Sequence, residues 1–219
     1  MHIESIPTRG RTLDMAAVVY DFLEPLLLLG RQKKINELLI SLLDIKPYHK
    51  ILDVGCGTGL VAGMISEKLD VNVGGCAVGI DAAGKMIAAA RKKRGGATCR
   101  FEAVAAENLS FEDASFDSIV SSFFYHHIQI DLKKKAFAEA FRVLKPGGKL
   151  IIADMHIPYS FMGALTAHAS RWILCQPQIG ENIRGLLPEL IENGGFTFPE
   201  SIRNYLGYVT VFESKKPEL

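Results

Sequence analysis

The chain has 219 residues, 48% hydrophobic and 22% charged, an ordinary composition for a globular protein with a sizeable core. A formal charge of +1 supplies no field that would draw nucleic acid or anionic lipid, and apolar runs such as 26–29 are far below the roughly 20 residues a membrane span needs. The first residues lack the charged-then-apolar order of a secretory signal. The four cysteines form no C-x-x-C pair, so a reduced, cytoplasmic protein with no metal site, disulfide framework or membrane span is expected.

In chain order, a helix is predicted over 12–29 with a break near Pro25. A second is predicted over 31–44, where Ile35, Leu38, Leu39, Leu42 and Leu43 recur at amphipathic spacing. A strand at 50–54 (KILDV) runs straight into GCGTGL and a helix to about Leu69. A strand over 77–80 and a helix over 84–94 follow, the helix ending in RKKR, which complements the negative end of its dipole. Strands are then predicted at 98–104 and 116–121, and a helix at 131–144 with Asp131 as its N-cap. Pro146-Gly147-Gly148 predicts a tight turn into a fifth strand, KLIIADM. Strands separated by helices at this rhythm imply an α/β protein whose mostly parallel sheet is covered on both faces. Past Met155 the rhythm changes to helices at 159–175 and 183–193, then two strands within 196–215 joined by a short turn near 204–207, an antiparallel hairpin.

The loop Asp53-Val54-Gly55-Cys56-Gly57-Thr58-Gly59 places glycine at alternate positions, which lets the backbone turn sharply and approach a ligand without Cβ clashes. A dinucleotide fingerprint asks for a third small residue at the position held by Leu60. Asp81, closing the second strand, is placed to accept hydrogen bonds from ribose hydroxyls, although a helix cap would put an acid there too. Histidines past the fourth strand (Phe123-Phe124-Tyr125-His126-His127) could take a proton near neutral pH, and His127 is the candidate general base; the plain alternative is local packing.

Residues 51–60 (ILDVGCGTGL), 79–86 (GIDAAGKM), 106–117 (AENLSFEDASFD) and 141–152 (FRVLKPGGKLII) together resemble the class I S-adenosylmethionine (SAM)-dependent methyltransferases. The branch they look most like contains the quinone-biosynthesis (type 11) and other small-molecule methyltransferases. The resemblance implies a Rossmann-like αβα sandwich with a seven-stranded, mostly parallel sheet and an antiparallel C-terminal hairpin. It implies one domain over 1–219, with N-terminal helices in 1–45 and a lid insertion at 156–193 over the cleft. Carried over residue by residue, it sets Gly55, Cys56 and Gly57 along the methionyl part of SAM, with Asp53 nearby, and Asp81 on the ribose. Ala82 and Met86 would pack on adenine, Ala106 and Glu107 would flank it, and Ser121 would border the sulfonium and the acceptor. Tyr20 resembles an aromatic that closes over the SAM carboxylate. One departure is Ala105, where many members carry an aspartate for the adenine amino group.

The implied function is methyl transfer to a small acceptor. The apolar residues of 13–29 and 159–175 suit an apolar or aromatic one, and the same faces would equally serve as core or as a homodimer contact. Ser121-Ser122-Phe123-Phe124 stands where base-modifying members carry a Pro-Pro segment, so no nucleic-acid partner is expected. Two alternatives stay open: a SAM-binding, non-catalytic regulatory protein, and a nicotinamide-dependent oxidoreductase, against which Leu60 and the hairpin weigh.

Overall fold

A computed structural model describes residues 3–9, 30–173 and 177–218. The helix predicted over 12–29, with Tyr20, lies outside the described residues, as does Cys175.

Seven strands form one sheet in the order β3-β2-β1-β4-β5-β7-β6. They are β1 (Lys50–Val54), β2 (Cys76–Asp81), β3 (Cys99–Ala103), β4 (Phe116–Ser122), β5 (Leu144–Met155), β6 (Glu200–Tyr205) and β7 (Val209–Lys215). The strands from β3 to β5 pair in parallel, and β7 runs antiparallel to both β5 and β6. The described helices are α1 (Gln32–Leu42), α2 (Leu60–Ser66), α3 (Gly84–Arg94), α4 (Ile130–Val143), α5 (Phe161–Ile173), α6 (Ile179–Ile183) and α7 (Leu187–Asn193). Side chains alternate across the strands, as a pleat requires. Ile51, Ala77 and Val120 join the core under α1, α2 and α3, with Ile35, Leu39, Ile65 and Ile87. Leu52, Val54, Val78 and Ile119 face the opposite core, against Phe137 of α4 and Ile191 of α7. The result is the expected αβα sandwich.

β1 pairs with β2 on one side and β4 on the other, so the strand order reverses at β1. In open α/β sheets the crevice beyond the carboxyl ends of the strands at such a point is where ligands sit.

Four local expectations change. The helix after the glycine loop stops at Ser66, and a separate 3₁₀ turn, Val71–Val73, follows with Asp70 accepting from the Asn72 N–H. Asp131 is not the N-cap of α4: Gln129 holds that position without a side-chain bond, and Asp131 in the first turn pairs instead with Arg9. Residues 146–148 do not separate helix from strand. β5 starts at Leu144, pairs there with Phe116, and slips register before Ser118, so Gly147, at φ 74°, forms a bulge inside the strand. The helix predicted over 183–193 begins only at Leu187, because Gly185 takes φ 83° and Pro188 opens the first turn of α7, while the unpredicted α6 ends at Ile183.

Candidate functional site

The glycine loop follows from its backbone. Gly55, Gly57 and Gly59 take φ values of 72°, 52° and 83°, a left-handed region that side chains disfavour. A methyl group on Gly55 would collide with the Phe124 ring, and one on Gly59 with the Phe101 ring. The N–H groups of Gly55 and Cys56 both donate to the Ile80 carbonyl at 2.9 Å, tying the loop to the end of β2.

Two carboxylates hold the loop from either side. Asp81 Oδ2 accepts from the Gly57 N–H at 3.0 Å, while its Oδ1 accepts from the Ala83 N–H at 2.8 Å. Asp53 is buried beneath the loop and accepts from the Ala62 N–H at 3.0 Å. Burial, with Asp81 adding repulsion, pushes its carboxyl up to about 7. The RKKR end of α3 also reaches the site: the Arg94 guanidinium donates to the Thr58 carbonyl at 2.8 Å and that of Arg91 to the Phe101 carbonyl at 2.8 Å. These side-chain bonds add to the dipole argument.

Two cavities meet at Gly55 and Gly57. The larger, about 630 Å³, is lined by Asp81, Ala82 and Met86 from the β2–α3 side, and by Ala106 and Glu107 beyond β3. Phe123, Phe124 and His127 close it on the β4 side. The smaller, about 380 Å³, is lined by Asp53, Cys56, Thr58 and Ser122, with Gln32 and Asn36 of α1 opposite. Asp53, Gly55, Cys56, Gly57, Asp81, Ala82, Met86, Ala106, Glu107 and His127, all singled out from the sequence, therefore line one cavity or the other. Ser121 does not. It is fully buried and its hydroxyl donates to the Val54 carbonyl at 2.9 Å, because alternation along β4 turns it under the sheet edge, and Ser122 faces the smaller cavity instead.

After β4 the chain kinks at Phe123 (φ 55°), whose N–H donates to the Ala153 carbonyl, into a 3₁₀ turn, Tyr125–His127. The kink separates the two histidines. His127 lines the larger cavity; His126 is buried, its Nδ1 2.7 Å from Oδ1 of Asp154. Asp154 is itself fully buried and also accepts from the Tyr125 N–H at 2.7 Å and the Asn182 amide at 3.3 Å. Tyr125 lines neither cavity: its ring stacks on Phe137, and burial drives its hydroxyl pKa well upward. His156 sits half-buried against Phe212 with its pKa lowered by burial, outside both cavities.

Several site residues escaped sequence reading. Asp154 had a signal, a charge inside the apolar run LIIADM. Gln32 and Asn36 had one too, as polar residues on the buried stripe of α1. Residues 3–9 had none. They cross the mouth of the larger cavity, with the Ile6 N–H on the Ala82 carbonyl, the Gly84 N–H on Ser5, and Thr8 donating to Glu107. Among the described residues, no cluster of three metal-ligating side chains occurs, and no helix is long and apolar enough to cross a membrane.

A methyltransferase-domain family model matches residues 51–148. The chain is 32% identical over 171 residues to a ubiquinone/menaquinone biosynthesis C-methyltransferase of Wigglesworthia glossinidia brevipalpis, covering 76% of this chain and 66% of that one. It belongs to the class I SAM-dependent methyltransferases. SAM is the cofactor of that family. A phosphoethanolamine N-methyltransferase of Arabidopsis thaliana is 39% identical over 117 residues, 52% of this chain and 23% of that protein. The chain thus spans about a quarter of the length of the plant methyltransferases it matches. Among solved structures, phosphoethanolamine N-methyltransferase 2 of Haemonchus contortus aligns with a TM-score of 0.70 at 18% identity, over 96% of this chain and 59% of that one. The cyclase SpnF aligns with a TM-score of 0.67 at 19% identity, over 99% of this chain and all of that one. This fold therefore also carries a protein named for other chemistry.

Proposed function

We propose that this chain transfers a methyl group from SAM to a small apolar or aromatic acceptor, with the cofactor laid across the glycine loop. The carrying observation is the pair of cavities joined at Gly55 and Gly57, with Asp81 bonded to the loop where they meet. A nucleoside suits the larger and an amino-acid tail the smaller. The residues fit the group, because a buried side-chain acceptor without a partner, Asn36 Oδ1, belongs to a residue lining the smaller cavity.

Bound SAM supplies an electrophilic methyl group on a sulfonium, so the chain's work is alignment and exclusion of water. Asp81, held at the loop by the Gly57 and Ala83 N–H groups, is the carboxylate that accepts from the ribose hydroxyls. Met86 and Ala82 offer an apolar wall to adenine, and Ala106 and Glu107 face it from beyond β3. With Ala105 replacing the usual acid, packing and backbone groups carry adenine recognition. Thr8, bonded to Glu107, closes the same mouth and keeps water out. Phe123, Phe124 and Ile128 form an apolar wall near the loop, where the acceptor enters. His127, which lines the larger cavity, is the side chain that takes the acceptor's proton.

The lining favours a quinol- or phenol-like acceptor over a phosphate ester. Among the described residues, neither cavity is lined by a lysine or an arginine, the groups that recognise phosphate. The quinone methyltransferase also matches more of this chain than the phosphoethanolamine enzyme does. The test uses purified protein, tritiated-methyl SAM and two acceptor sets, hydroquinones and phosphoethanolamine. Label moving into a hydroquinone supports the reading. Label moving only into phosphoethanolamine overturns the acceptor class, and S-adenosylhomocysteine binding without any transfer leaves the regulatory alternative standing.

A further inference from the structure

Helix α1 carries an anomaly. Its inner stripe is apolar, with Ile35 and Leu39 fully buried and Ile40 nearly so, yet Gln32 and Asn36 sit on that stripe one turn apart. They are only 9% and 2% exposed. Asn36 Oδ1 is buried without any hydrogen-bond partner. Buried carbonyl oxygens are nearly always satisfied, so an orphan beside a cavity marks a partner that arrives with a ligand.

The cavity beside it has a definite chemistry. Asp53 contributes a carboxyl group and Asn36 a carbonyl, both acceptors, and Gln32 an amide that can donate. Among the described residues, no lysine, arginine or histidine lines it. Acceptors beside neutral donors, the Thr58 and Ser122 hydroxyls among them, match a compact zwitterion, in which an ammonium needs acceptors and a carboxylate needs donors. The Asp53 carboxyl, pushed up by burial to about 7, is one that an incoming cation would draw into its charged form.

We infer that Gln32 and Asn36 are the recognition pair for the α-amino-acid end of the cofactor: Asn36 Oδ1 accepts from the α-ammonium, and the Gln32 amide donates to the α-carboxylate. The inference rests on the methyltransferase reading and assigns to α1 a selectivity that the glycine loop does not supply. The loop's Gly55 and Cys56 N–H groups are already committed to the Ile80 carbonyl. The α-carboxylate is then held by neutral donors, without an ion pair to a basic side chain of the described cavity wall.

Calorimetry of the full chain with two ligands tests it: S-adenosylhomocysteine, which carries the amino-acid tail, and methylthioadenosine, which lacks it. Asn36→Leu should weaken S-adenosylhomocysteine roughly tenfold or more, the ordinary worth of a hydrogen bond to a charged group, and leave methylthioadenosine unchanged. Unchanged methylthioadenosine binding also certifies that the variant is folded. Asn36→Asp keeps an acceptor and should hold the wild-type preference. If Asn36→Leu does not fold, Gln32→Leu gives the same readout: loss confined to S-adenosylhomocysteine supports the pair. Either folded leucine variant keeping the wild-type preference for S-adenosylhomocysteine overturns the inference while the methyltransferase reading stands. Failure of the wild type to bind either ligand overturns both.

Discussion

The glycine loop and the turn after β4 face each other across one cleft, yet they are held by different means. The loop is backbone held by backbone and by two nearby acids: the Ile80 carbonyl takes two of its N–H groups, and Asp81 takes a third. Its shape is set by glycine dihedral angles. The opposite rim is held by side chains from distant segments. Asp154 of β5 gathers the Tyr125 N–H, His126 and Asn182, while Lys133 of α4 reaches across to Glu181 of α6 at 2.5 Å. The Gln178 amide adds a contact to the His127 carbonyl. The loop side is thus a fixed backbone frame, whereas the opposite rim is one that side-chain changes can rebuild.

Four changes would break or sharpen the contrast. Asp154→Ala removes the one carboxylate shared by three groups on the rim after β4 and should cost about 3–5 kcal/mol of stability in urea unfolding. The surviving folded protein should still bind S-adenosylhomocysteine; loss of that binding would show the two halves to be one unit.

Asp53 gives the loop side a pH signature. The folded chain keeps this proton up to about pH 7, whereas the ordinary carboxyl value is 3.8. Between those values the folded state binds more protons, so this group's contribution makes stability fall as pH rises from about 4 to about 7. Asp53→Asn should remove that slope, roughly 2–4 kcal/mol across the window, as read by urea unfolding at a series of pH values. An unaltered slope would place the titration elsewhere.

Asp81→Ala should weaken S-adenosylhomocysteine by about 1–3 kcal/mol in calorimetry, through lost ribose bonds and a loosened Gly57. An effect within error would reduce Asp81 to a helix-start residue. The smallest change is expected on α5, where Trp172 is 72% exposed: Trp172→Ala should move stability by less than about 0.5 kcal/mol in a thermal melt. A larger loss would mean that this face is covered in solution.

What sequence reading reached followed the locality of each interaction. The helix over 84–94 was legible to the residue, because its apolar spacing and its basic end are contained within it. Most of the ten cavity residues were placed by the family resemblance that short contiguous motifs carry. Asp131 misled as an N-cap, since the segment that claims its carboxylate, with Arg9, lies far upstream. Residues 146–148 misled as a turn: glycine and proline announce a bend, but whether a bend ends a strand or bulges within it depends on the pairing partner, here Phe116. Ser121 and Ser122 are adjacent, and only the pleat of β4 in the assembled sheet decides which of them meets the cavity.

By itself the sequence determined the alternation of strand and helix, the glycine loop, the acid at the end of β2 and so the family and its cofactor. Those features are written in short runs, where dihedral preference and side-chain period act over a few residues. Only the tertiary structure decided that His126 turns inward to Asp154 while His127 faces the cleft, that residues 3–9 cross its mouth, and that Gln32 and Asn36 look onto Asp53. Each of these joins groups far apart along the chain, and burial and hydrogen bonding select such partners only once the sheet has brought them together.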